Sequence, residues 1–133
     1  MASGAYTSGL DEIVGTSFAW PSTDVRGILV DLAEYTFSAA HVDLSSVASG
    51  ARVAESGAIG NKAISGGVLS ADDVAFSSVP AGDPVGAIVL FRQGVGDANR
   101  KLLFYIEFTP VTPNGGDITV KWDTGANKIV KFG

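Results

Sequence analysis

The chain has 133 residues, no cysteine, one histidine and a formal net charge of −5. That length suits a single domain able to bury about two-thirds of its unfolded surface. The lack of cysteine excludes a disulfide framework, a thiolate metal site and a cysteine nucleophile, and a net acidic chain lacks the basic face that nucleic-acid binding needs.

Charged residues make up only 17% of the chain, against 17 glycines and 46% hydrophobic residues. Globular domains usually carry about 25% charge. A low-charge surface is expected where partners cover much of it. Charge is also uneven. Residues 1–83 hold ten acids against three bases, net −7; residues 84–133 hold four acids against six bases, net +2. Such asymmetry can orient a subunit against its neighbours. No apolar run reaches the roughly 18 residues of a membrane helix, and Met1–Tyr6 has neither a basic start nor an apolar stretch. The reading is a soluble protein, made inside the cell, with no membrane and no nucleic-acid partner.

Residues 1–20 read as an N-terminal arm, its first nine residues small and polar. Tyr6, Leu10, Ile13 and Val14 fall at helical spacing, with Asp11 and Glu12 placed for a helix dipole. This predicts a short helix over 6–15, ended by Gly15. Ser17–Trp20 predicts a short strand and Pro21–Asp24 a turn. From residue 21 to 133 the pattern is one β-domain. Val25–Tyr35 reads as a strand, His41–Val47 as a helical turn, Ala51–Ser56 as a strand, and Lys62–Leu69 as a strand weakened by Gly66–Gly67. Val74–Val79 alternates as a half-buried strand does. The last third holds four strand-length apolar runs, at 84–92, 102–108, 117–122 and 128–132, cut by Gly, Asn, Asp and Pro clusters. Eight or nine strands at this spacing, without crossover helices, predict an all-β antiparallel sandwich or jelly roll with a short N-terminal helix or arm.

Few side chains suggest chemistry. His41, Asp43 and Ser45 lie close in sequence, but no nucleophile elbow accompanies them and positions two apart on a turn do not converge. Asp72–Asp73 and Asp97-Ala98-Asn99 read as turns rather than calcium loops, which need several more oxygens. Gly94-Val95-Gly96-Asp97 reads as a hairpin loop, and Arg100–Lys101 is too small a patch for nucleic acid. No metal and no cofactor is expected, and the chain reads as a building block rather than an enzyme. Along the strand Leu102–Phe108, Leu102 opposes Leu103 and Phe104 opposes Tyr105. This strand is therefore central and covered on both sides, or its outer face meets another subunit. Tyr6, Leu10, Phe104 and Tyr105 are the candidate interface residues.

The stretch Val79–Phe91, followed by the turn Thr112-Pro113-Asn114-Gly115-Gly116-Asp117 leading into Ile118–Asp123, resembles a group of small tailed-bacteriophage virion proteins. Val25–Asp31, Ala51–Ala54 and Ala71–Phe76 occur in the same order as in that group. The resemblance spans about residues 25–132 and brings no catalytic residue with it. It implies a capsid decoration or cement protein on the virion surface, bound across subunits of the major capsid protein and forming a dimer or trimer. Tail, neck or fibre components, or a carbohydrate-binding β-sandwich module, are the alternatives.

Overall fold

The structure, a computed structural model, describes residues 3–6, 24–38, 40–65, 68–120 and 130–131. It is all-β. The strands are β1 (Ser3–Ala5), β2 (Val25–Val30), β3 (Arg52–Glu55), β4 (Ala63–Ser65), β5 (Val68–Ser70), β6 (Val74–Phe76), β7 (Val85–Arg92), β8 (Lys101–Val111), β9 (Ile118–Val120) and β10 (Val130–Lys131). Single 3-10 turns lie at Leu44–Ser46, Ser49–Ala51 and Asp97–Asn99. Every strand pair is antiparallel. The main sheet has five strands in the order β1-β8-β7-β2-β3, beside a three-stranded sheet β10-β5-β4 and a pair β6-β9.

The apolar runs of the last third behave as their composition requires. In β7 every residue from Val85 to Phe91 is buried, because the strand lies in the middle of the main sheet and both faces are covered. Val25, Leu29, Ile88, Leu90, Leu103 and Phe104 enter one core together with Val74, Phe76 and Val120 of the β6-β9 pair. Ile28, Val30, Ala87, Val89, Phe91, Leu102 and Tyr105 enter a second core, closed by Tyr6, Tyr35, Leu44, Val47 and Ala51. Each fully buried side chain of this size contributes about 1.5–3 kcal/mol, so these two cores carry most of the stability.

A bulge sets which core each β8 residue enters. Leu90 lies opposite Phe104 and Phe91 opposite Leu102, which leaves Leu103 without a partner across the strand pair. Leu103 and Phe104 thus share one core, while Leu102 and Tyr105 share the other. The expected opposition of Leu102 to Leu103, and of Phe104 to Tyr105, holds.

Three expectations about strands need correction. The strand expected over Val25–Tyr35 stops at Val30, because Asp31 turns the chain: its Oδ1 accepts from Ala33 N–H at 2.9 Å, and its carbonyl accepts from Glu34 and Tyr35 N–H at 3.0 Å. The single strand expected over Lys62–Leu69 is a hairpin, β4 against β5, with Ser65 opposite Val68; two glycines between strand-like runs are a hairpin signal. Ser3–Ala5, expected in a free arm, instead forms an edge strand of the main sheet, with Gly4 opposite Tyr105. The helix expected over 6–15 and the strand at Ser17–Trp20 lie, Tyr6 apart, outside the described residues.

Two glycines mark close approaches, Gly27 to the neighbouring strand of its own sheet and Gly86 to the segment that follows β2. A Cβ on Gly27 would stand 2.7 Å from Ile88 Cδ1, and one on Gly86 would stand 2.7 Å from Leu32 Cδ1. Both neighbours must shift to admit a methyl, and Ile88 is fully buried. Gly27→Ala is expected to cost about 1–3 kcal/mol in urea unfolding, the usual penalty for overpacking. Trimming Ile88 to Val, which removes that Cδ1, should recover part of the loss in the double variant. Strictly additive losses would show that the crowding lies elsewhere.

Candidate functional site

The second core combines aliphatic side chains with Phe91 and the three tyrosines, Tyr6, Tyr35 and Tyr105, whose hydroxyls bring polar atoms into it. The chain has three tyrosines and one histidine, and all four come together in it. Tyr6 follows β1, Tyr35 and His41 lie on the irregular segment between β2 and β3, and Tyr105 lies on β8. Tyr6 and Tyr35 hydroxyls meet at 2.6 Å, and the Tyr35 hydroxyl lies 2.9 Å from His41 Nδ1. One proton arrangement satisfies all three groups: Tyr6 donates to Tyr35, which donates to an unprotonated Nδ1. Phe37 packs edge-on to Tyr6, ring centroids 5.1 Å apart, and stacks on Tyr105 at 4.8 Å. The Tyr105 hydroxyl donates to Glu107 Oε2 at 2.8 Å.

The segment carrying these groups is irregular, so side chains fix it. The Asp43 carboxylate accepts from Ser45 N–H at 3.1 Å and from the Ser45 hydroxyl, capping the turn at Leu44–Ser46. Arg52 at the start of β3 donates to the carbonyls of Val47 at 2.8 Å and Leu44 at 2.5 Å. Backbone bonds from Leu44 N–H to Arg100 and from Leu102 N–H to Val42 tie the segment to the start of β8. Outside, Arg100 donates to Glu55 at 2.6 Å and lies 4.7 Å from the Phe91 ring centroid.

Hollows lined by described residues lie around these layers. A cleft of about 340 Å³ is lined by Leu32, Tyr35, Thr36, Phe37, Tyr105 and Glu107. Its floor is aromatic and its one charge is the Glu107 carboxylate. A second, about 220 Å³, lies between Asp31–Ala33, Pro84, Gly86 and Pro110. A third, about 250 Å³ and more polar, lies between Ser56–Gly60 and Asp72–Ala75.

The candidate interface residues are placed as follows. Tyr6 is 0% exposed, Phe104 1% and Tyr105 2%. Their side chains are thus spent on the chain's own cores, and the outer face imagined for β8 is covered by the segment 32–51 rather than free. Leu10 lies outside the described residues. His41 faces Tyr35 while Ser45 is held by Asp43, so the two ends of the tempting triad do not meet. Asn99 Nδ2 donates to Val95 carbonyl at 2.7 Å and Asn61 Nδ2 to Asp72 Oδ2 at 2.8 Å; both acidic motifs sit in loops. Among the described residues no three His, Asp or Glu side chains gather to hold a metal ion, and no helix is long and apolar enough to cross a membrane. No protein-family model matches the chain, and no curated protein matches it.

The tyrosine cluster gives the core an alkaline limit. Burial, then the bond to Tyr35, pushes the Tyr6 phenol well above its usual value near 10; burial, then the bond to Glu107, does the same for Tyr105. Burial also raises Tyr35, partly offset by its bond to Tyr6. A phenol whose value is raised by folding keeps its full contribution below about pH 10 and loses it as pH rises further, since the unfolded chain ionises first. Stability is expected to be flat from pH 7 to 9 and to fall above pH 10, by up to about 1.4 kcal/mol per pH unit for each such tyrosine. Tyr6→Phe should cost about 0.5–1.5 kcal/mol at pH 7, for the lost hydrogen bond, and give a shallower alkaline fall. Equal alkaline slopes in the two proteins would contradict this account.

Proposed function

We propose that the protein is a structural subunit of a tailed-phage virion, a decoration or cement protein bound across major capsid protein subunits. The β6-β9 pair over the main sheet serves as the second layer of a sandwich-like body. The observation that carries the reading is where the main sheet stays open. Its faces are filled from within, so a partner must meet its rims and loops. Beyond Ile106 no described strand lies against the outer edge of β8, so among the described residues Glu107–Val111, paired with β7 on its inner side, continues past β1 with its outer edge open. Val111 is 42% exposed there, while Pro110, which lacks an N–H, limits pairing to selected partners. A low-charge surface supports broad burial against neighbours, and the resemblance of Val79–Phe91 and the Asn114–Asp117 turn to phage virion proteins supports the same role. The function is cumulative: many copies, each with a modest interface, hold a shell against internal pressure.

One observation favours a second reading, carbohydrate binding. The cleft where the half-buried Phe37 ring stands beside the Glu107 carboxylate offers an apolar surface and a charged acceptor, which suits a sugar ring and its hydroxyls.

Deleting the gene from the phage that encodes it separates these readings. Cement function predicts assembled heads that release DNA at lower temperature or on milder osmotic shock, with purified protein restoring resistance. Intact, equally resistant heads on tailless or fibreless particles would instead assign it to the tail, neck or fibre. Normal particles that adsorb poorly to cells would favour the sugar site.

A further inference from the structure

The first strand is attached to the fold as a separable plug. Ser3–Ala5 pairs with β8 alone among the described strands, in the register Ser3–Ile106, Gly4–Tyr105 and Ala5–Phe104. Tyr6 N–H then donates to the carbonyl of Leu103, the bulged residue, at 3.1 Å. The ring of Tyr6 enters a socket whose described partners lie far along the chain: the Tyr35 hydroxyl at 2.6 Å, Phe37 in an edge contact and the ring of His41 at 6.5 Å. Just before this point, the same rim of β8 is filled by Val42 and Leu44. The seat for Ser3–Tyr6 is thus bounded on one side by Val42–Leu44 and, among the described residues, has no strand beyond Ile106 on the other.

We propose that this plug exchanges between copies, so that Ser3–Tyr6 of one chain fills the β8 rim and Tyr35 socket of a second chain, and the second returns its own. The seat reads the plug as strand-addition sites do: main-chain bonds from a short extended segment, and one side chain in one pocket. Cis and trans seating make identical contacts, so neither is favoured by the interface itself. The connection does not force the cis form. Residues 7–23 can reach about 60 Å fully extended, against a radius of gyration of about 14 Å for a domain of this length. Reciprocal exchange closes on itself and gives a two-fold dimer rather than a fibre. Cis seating competes with an effective concentration on the order of millimolar, so the dimer is favoured where copies are crowded. This inference concerns self-association and does not depend on the virion reading.

The chain contains no cysteine, which allows a direct trap. Chains carrying Ser3→Cys and chains carrying Ile106→Cys, distinguishable by mass, are unfolded together, refolded at about 1 mM and oxidised. Exchange predicts a disulfide-linked heterodimer as the main product on a non-reducing gel. Its appearance only at the level of a control pair, Ser3→Cys with Thr119→Cys, overturns the proposal. Because Ile106 packs against the first core, a second measurement leaves it intact. Native mass spectrometry of the unsubstituted chain, refolded the same way, is expected to show a dimer at least tenfold more populated than in Tyr6→Ala. Equal dimer in both, or none in either, overturns the proposal as well.

Discussion

A strand with no solvent side must be covered twice, and β7 is such a strand. Its residues alternate between two cores, so the chain has to supply one cover from β6 and β9 and another from the segment between β2 and β3. The first cover is ordinary sheet. The second has almost no regular structure, and its backbone groups are held by side chains instead: Asp31 turns it away from β2, Asp43 caps its 3-10 turn, and Arg52 ties two of its carbonyls to β3. Unpaired buried backbone groups are expensive, so these three charged residues are what allow an irregular segment to serve as a lid over an apolar sheet.

Polar atoms inside the second core follow from the same demand. Tyrosines reach across a wide gap between the sheet and an irregular segment, and each hydroxyl then needs a partner. Tyr6, Tyr35 and His41 satisfy one another, while Tyr105 turns to Glu107 at the rim. Packing and polarity are thereby coupled. The N-terminal strand is anchored by Tyr6, and Tyr6 by Tyr35, Phe37 and His41 of the segment between β2 and β3. Since most large side chains of the described residues are committed inward, the loops, the hollows and the outer edge of β8 past Ile106 are the described surfaces left for a partner.

The sequence carried β7 and β8 plainly. A run of seven apolar residues at 85–91 and the doublets Leu102–Leu103 and Phe104–Tyr105 require cover on two faces, and the structure supplies it. The Gly94–Asp97 hairpin loop and the Pro113–Asp117 turn were equally legible, through glycines that the structure sets at positive φ at Gly96 and Gly115. The position of Tyr6 was not. Its local pattern, helical spacing with Leu10, Ile13 and Val14, says nothing of Tyr35, its partner 29 positions away, so the sequence does not place it in this core. The second cover was equally hidden: irregular segments have no periodicity, and Asp31 reads as one polar residue in a strand until its turn bonds are seen. The bulge at Leu103 leaves no trace in an alternation that is apolar on both phases.

The claim that the main sheet is filled from both faces within one chain is tested most directly by native-state hydrogen exchange. The slowest amides should lie in Ile88–Leu90 and at Phe104, which faces β7, exchanging only through global unfolding, with Ser3–Ala5 and the Tyr105 amide opposite Gly4 opening at lower cost. If the Phe104 amide exchanges as fast as those of the Gly115–Asp117 turn, β8 is open to solvent and the account is wrong.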